Sequence, residues 1–175
     1  YFTPKNVVIA LWRLVQKRLI SQKNQEIRAI DLAAGAGVWL DVLIDSGRVR
    51  PDDAYGIEID QQWADRSGVP YTGDGLLGVF DGVEDSTFDV VVGNPPFGKM
   101  SNFCAAMGGP DSRMLAERFP LWQGLGKNMD SYPIELLFVE RALQVLRPGG
   151  WGVLVLPEGI LANAKLQSAR DQLLR

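Results

Sequence analysis

Residues 91–98 of the chain read VVGNPPFG. The apolar run ahead of Asn94 is that of a buried strand, and the two prolines after it lack backbone donors and hold φ fixed. Pro95 also pushes Asn94 toward an extended conformation. The expected product is a stiff elbow that holds one side-chain amide, Asn94, and one ring, Phe97, at the end of a strand. Such an elbow either terminates the strand or aims an acceptor and an aromatic plane at a ligand. Three carboxylates accompany it: Asp31 in DLAAGAG, Glu58 in GIEID and Asp74 in TGDG. Gly35 and Gly37 let the backbone turn tightly and approach a ligand closely. The stretch is not a dinucleotide fingerprint, because Leu40 stands where the third glycine of G-x-G-x-x-G belongs. Asp31 would repel a pyrophosphate and attract a cation. Glu58 can accept from both hydroxyls of a ribose, and Asp74 from an adenine amino group. Together these residues describe a nucleoside carrying positive charge rather than phosphate, which suits S-adenosylmethionine.

Composition narrows the chemistry further. The chain has 175 residues, enough for one domain with a real core, and its apolar fraction of 46% and charged fraction of 22% are ordinary for a globular protein. It contains no histidine and one cysteine, Cys104. Histidine acid–base catalysis, a Cys–His nucleophile, an internal disulfide and the usual zinc sites are therefore excluded, and no metal is expected. The net charge of −3 is unlike that of a domain that holds a polyanion alone. No apolar run approaches the length of a membrane span and no signal-peptide pattern opens the chain, so a cytoplasmic location without a membrane partner is expected.

The elements that must position these residues alternate. A helix is expected over 4–20, with Thr3 as its N-cap and Pro4 at its first position. Strands follow at 27–32, 54–59, 71 onward, 88–93 and 151–156. Helices are expected at 38–46, 61–67, 133–146 (ended by Arg147-Pro148-Gly149-Gly150) and from 161 onward. Strands alternating with helices argue for an α/β fold, a mostly parallel doubly wound sheet. In such sheets ligands bind beyond the carboxyl ends of the strands, which is where Asp31, Glu58, Asp74 and Asn94 fall. The 98–131 segment breaks the rhythm and is of the length that is usually functional or disordered. Within it Lys99, Arg113, Arg118 and Lys127 read as a solvated face before they read as phosphate contacts, and Phe119 and Trp122 as packing residues.

These motifs resemble those of the S-adenosylmethionine-dependent DNA adenine-N6 methyltransferases of restriction-modification systems. DLAAGAGVWL is similar to that family's cofactor loop, with Leu32, Ala34 and Ala36 departing from its pattern. YGIEID resembles its ribose-binding motif, GNPPFG its Asn-Pro-Pro-aromatic catalytic motif, and YFTPKNVV its N-terminal motif, in the gamma order. The resemblance implies a Rossmann-like methyltransferase fold and S-adenosylmethionine as cofactor. Tyr1, Thr3 and Asp31 would lie toward its methionine end, Ala33, Gly35 and Gly37 would form the loop, Glu58 would take the ribose, and Asp74 the adenine. Asn94 and Pro95 would accept from the target amino group, Pro96 would complete the motif and touch the cofactor, and Phe97 would stack on a flipped base.

The expected organisation is a single catalytic domain over 1–175, with an N-terminal helix over 1–22, a cofactor half over 27–80 and a catalytic half over 87–175. The strand hairpin that usually closes this fold and a target-recognition domain are both missing from the reading. The chain is thus expected to be a core fragment whose DNA partner is selected by a further domain or specificity subunit. Alternatives are a ribosomal RNA adenine or protein glutamine methyltransferase, a nicotinamide enzyme (disfavoured by Leu40), or a cofactor-binding subunit without turnover.

Overall fold

The computed structural model describes residues 3–19, 26–99, 117–120 and 132–173. Five strands form one sheet: β1 (Ala29–Asp31), β2 (Ala54–Glu58), β3 (Tyr71–Thr72), β4 (Phe88–Gly93) and β5 (Leu146–Leu154), in the order β3-β2-β1-β4-β5. Every neighbouring pair is parallel. Among the described residues the helices are α1 (Lys5–Leu19), α2 (Val38–Asp45), α3 (Gln61–Ser67), α4 (Ile134–Val145), α5 (Glu158–Ala162) and α6 (Gln167–Leu173). The α/β, doubly wound reading of the sequence holds.

A parallel sheet must be covered on both faces, and β4 shows how: all of its residues are buried. Val90 and Val92 join Ala29 in a core with Val8 and Trp12 of α1 and Trp39, Leu40 and Leu43 of α2. Val91 and Ile30 face the other way, into a core with Leu136, Leu137 and Phe138 of α4 and with Phe119. Register brings the strand tips to one edge, since Asp31 is level with Gly56 on β2 and with Val92 on β4. The chain leaves β1 toward β2 and β3 and then returns to β4 on its other side. That reversal opens a crevice between β1 and β4 at the carboxyl edge, the place where such sheets bind ligands.

Three local expectations are corrected. Thr3 does not cap α1: its hydroxyl makes no hydrogen bond, and the Pro4 carbonyl accepts from Val7 and Val8 N–H instead. Arg147-Pro148-Gly149-Gly150 is not a simple stop. Leu146 already pairs with Phe88 and Trp151 with Val90, so these residues form a bulge within β5, with Gly149 at φ +80°. The stretch from 161 onward is broken, because α5 ends at Ala162 and a 3₁₀ turn (Ala164–Leu166) precedes α6.

Most of the 98–131 segment lies outside the described residues, including Cys104, Arg113, Trp122 and Lys127. Of its described members, Phe119 is fully buried, as a packing residue should be. Arg118 donates to the Leu77 carbonyl at 3.2 Å rather than standing free on a solvated face. Among the described residues no helix is long and apolar enough to cross a membrane.

Candidate active site

The loop after β1 is held by backbone bonds and two carboxylates. Ala34 N–H donates to the Ile57 carbonyl at 2.8 Å and Gly37 N–H to the Ala34 carbonyl at 2.9 Å. Gly35 and Gly37 have φ of +53° and +75°, and Gly37 caps α2. These are left-handed conformations that a glycine adopts without a Cβ penalty. Glu58 at the tip of β2 accepts from Gly35 N–H at 2.6 Å through Oε2 and from Asp60 N–H at 2.9 Å through Oε1. Asp60 in turn caps α3 by accepting from Gln62 N–H at 2.9 Å. A carboxylate oxygen keeps acceptor capacity after one such bond, so Glu58 can orient the loop and still receive ligand hydroxyls. Asp74 turns its own loop by accepting from Leu76 N–H at 2.8 Å. Gly75 passes so close to β1 that a Cβ there would stand 1.9 Å from the Leu32 carbonyl oxygen.

Asp31 lies at the floor, 1% exposed. Its Oδ1 accepts from Ala33 N–H at 3.0 Å, while Oδ2 is buried without a partner. Burial pushes this carboxyl up to about 7, the Ala33 amide opposes the rise, and the nearby Glu58 charge adds to it. Gly93, the last residue of β4, packs on it: a Cβ at Gly93, whose φ is +154°, would be 2.7 Å from Asp31 Oδ1. Asn94 follows, with its Oδ1 buried and unpartnered. Pro95 is buried, Pro96 is exposed, and Phe97 keeps 46% of its surface in solvent.

Between these tips lies a cleft of about 280 Å³. Thr3, Asp31, Ala33, Gly35, Glu58, Asp74, Asn94 and Pro96 line it, so residues far apart in sequence meet at one site. Gly37 sits behind it at the start of α2, Pro95 lines a small void beneath Asp31 and Gly93, and Phe97 projects outside. Tyr1 lies outside the described residues. Unforeseen from the sequence are Trp39 and Phe138, which also line the cleft, and Gly75 and Gly93, which permit its close crossings. An aromatic after the loop glycines was the only signal for Trp39, and Phe138 is one apolar position among many on α4.

One feature concentrates here. Thr3 Oγ1, Asp31 Oδ2, Trp39 Nε1 and Asn94 Oδ1 are all buried side-chain atoms without a hydrogen-bond partner, and all four residues line this cleft. Buried polar atoms are nearly always satisfied in a finished structure, and leaving one unpaired costs about 1–3 kcal/mol. Their convergence on one cavity describes a binding site for a ligand with donors and acceptors of its own. The carboxyl, hydroxyl and indole N–H of this set suit a zwitterionic nucleoside and fit S-adenosylmethionine.

The family model of the Eco57I restriction-modification methylase matches residues 18–175. The chain belongs to that family. No curated protein matches the sequence closely enough to count as a relative. Among solved structures the fold is similar to that of the type IIG restriction endonuclease BpuSI (TM-score 0.73, 18% identity, covering 99% of this chain and 22% of that one). It is similar also to a proposed class I S-adenosylmethionine-dependent methyltransferase of Listeria monocytogenes (0.71, 20%, 98% and 51%). A third is the type I restriction-modification methyltransferase subunit of Streptococcus thermophilus (0.69, 20%, 99% and 38%). The chain thus spans from about a fifth to about half of the length of these proteins. Membership in a methylase family carries with it S-adenosylmethionine as methyl donor, the cofactor to which the sequence motifs point.

Proposed function

We propose that this chain is the catalytic core of a DNA methyltransferase that modifies the exocyclic N6 amino group of an adenine extruded from the duplex. The observation that carries the reading is the placement of Asn94. Its Oδ1 is a buried acceptor without a donor, and its residue shares one cleft with Asp31 and Glu58. The cofactor supplies an electrophilic methyl group on a positively charged sulfur. On this reading Asp31 and Thr3 hold the methionine end, Glu58 the ribose, and Asp74 the adenine, while Ala33, Gly35 and Gly37 shape the loop beneath.

The target nitrogen is a poor nucleophile, because its lone pair is delocalised into the ring. Asn94 Oδ1 accepts from one amino hydrogen and the Pro95 carbonyl from the other. Two acceptors in line with the nitrogen localise the lone pair and align it with the methyl group, which is positioning plus electrostatic stabilisation. Phe97, half exposed at the rim, supplies a plane on which an extruded base can stack. The N–CH3 bond forms as the S–CH3 bond breaks, and the sulfur leaves as a neutral thioether. The methylated nitrogen, now cationic and acidic, then sheds its extra proton to solvent. No histidine base is therefore required, in keeping with a chain that has none. The partners on this reading are DNA and a target-recognition domain or specificity subunit.

The test is transfer of labelled methyl from S-adenosylmethionine by the intact protein, with duplex DNA, ribosomal RNA and a glutamine peptide as competing acceptors. N6-methyladenine in DNA, lost in Asn94→Ala, is the expected result. Transfer to RNA or peptide instead would replace the substrate class. Cofactor binding without any transfer, unaltered by Asn94→Ala, would overturn the enzyme reading in favour of a binding subunit.

A further inference from the structure

The elbow does not end at Phe97. Gly98 is tied to the start of α4 from both sides of its peptide, its N–H donating to Glu135 Oε2 at 3.2 Å and its carbonyl accepting from Ile134 N–H at 3.0 Å. Lys99 pairs antiparallel with Pro133 next door. Glu135 is only 6% exposed and lies between Ile134 and Leu136, both of which are in the core. Carboxylates are almost never buried to that degree without a partner. Here the partner is the backbone amide of the residue that follows the Asn-Pro-Pro-Phe run. Placement in the first turn of α4 favours the negative charge but does not require burial.

The opposite end of the elbow is fixed as well. Gly93 packs on Asp31, and its carbonyl accepts from Val155 N–H at 3.0 Å. Between the two anchors Pro95 and Pro96 have fixed φ, so few soft torsions remain. A short segment of this kind holds its geometry if both ends are held, and loses it if either is released.

We propose that Glu135 is a positioning residue for methyl transfer, clamping the Asn94–Phe97 elbow from its C-terminal side by accepting the Gly98 amide proton. The inference rests on the methyltransferase reading for its consequence in catalysis and on the clamp geometry alone for its consequence in dynamics. Glu135→Gln keeps an acceptor oxygen of the same reach, whereas Glu135→Ala removes it.

Two measurements on the intact protein test it. In amide hydrogen exchange, Glu135→Ala should speed exchange at Gly98 about tenfold or more while the β4 amides keep their protection, and Glu135→Gln should restore the wild-type rate. In methyl transfer, Glu135→Ala should lower kcat about tenfold to a hundredfold with S-adenosylmethionine affinity unchanged, and Glu135→Gln should recover most of it. Unchanged exchange at Gly98 in Glu135→Ala overturns the clamp. A parallel loss of β4 protection, cofactor affinity and kcat, not rescued by Gln, also overturns it, because the residue would then serve only stability. A wild-type protein that transfers no methyl group, yet shows the predicted exchange pattern, supports the clamp and overturns the methyltransferase reading instead.

Discussion

Asp31 is an acid buried at the floor of the cleft, and on the proposed reading it faces the cationic end of the cofactor. With its pKa raised from 3.8 to about 7, it favours the proton in the empty fold. Its contribution to stability is therefore fully present below about pH 4 and is lost as the pH rises through about 7. The charged groups facing it do not help the ionised form, since Glu58 is also acidic; only the Ala33 amide does. A sulfonium or ammonium group beside Asp31 reverses the preference, so cofactor binding should expel a proton at neutral and lower pH. Calorimetric titration with S-adenosylmethionine should show affinity falling as pH drops below about 7, by up to about tenfold per unit, with proton release visible between buffers of different ionisation enthalpy. Asp31→Asn should bind weakly and lose that dependence, while its empty form gains stability relative to wild type at pH 8. An affinity flat from pH 6 to 8 in the wild type would refute the coupling. On the proposed reading Asn94 belongs to the other half of the reaction. Asn94→Ala should reduce kcat by a factor on the order of a hundred to a thousand, as removal of a single oriented polar group in a preorganised site does, while cofactor affinity changes little.

At the scale of elements, what proved legible was what local chemistry determines. The residues of β4 form a nearly continuous apolar run interrupted by Asp89, and a helix is expected over 61–67. Both elements fall where the residue pattern put them, α3 with Asp60 as its side-chain cap. Legibility failed where one local signal serves two tertiary outcomes. Pro148, Gly149 and Gly150 stop a helix or build a bulge equally well, and pairing of Leu146 with Phe88 decides for the bulge. A Thr-Pro pair is a helix start in isolation, yet the Thr3 hydroxyl caps nothing and lies at the cleft, where the family resemblance alone had put it. Gly75 was silent for a different reason: its role arises where its loop crosses the end of β1, a contact between distant segments. Gly75→Ala puts a Cβ against a backbone carbonyl that cannot swing aside as a side-chain tip would. The substitution should cost about 1–3 kcal/mol in denaturant unfolding and should weaken cofactor binding with it, because Leu32 and Asp31 must shift. A variant of unchanged midpoint and affinity would mean that the crossing is looser than its geometry states.

For the whole molecule the governing fact is charge. A sheet with both faces covered and its polar groups gathered at one edge makes a rigid cofactor platform, but the net charge is −3 and the sequence pI is about 5.0. Affinity for a duplex comes largely from Lys and Arg neutralising phosphates, and each neutralised phosphate steepens the salt dependence. Several of the described cations are already engaged elsewhere. Arg50 pairs with Glu26 and Asp53, Arg141 with Asp85, and Arg147 with Asp89, while Arg118 is turned to the Leu77 carbonyl. The site and the grip on DNA are therefore expected to reside on different surfaces. This 175-residue chain should bind S-adenosylmethionine and yet hold a fluorescent duplex more weakly than about 10⁻⁴ M at physiological salt, the weak end of non-specific binding. Anisotropy measured at low and at physiological salt decides the matter. Weak binding with a shallow slope means that phosphate neutralisation belongs to a specificity subunit or domain acting with this chain. Tight binding with a steep slope would place a basic face within the chain itself, and the cations of the 98–131 segment, Lys99 first, would then be the ones to substitute.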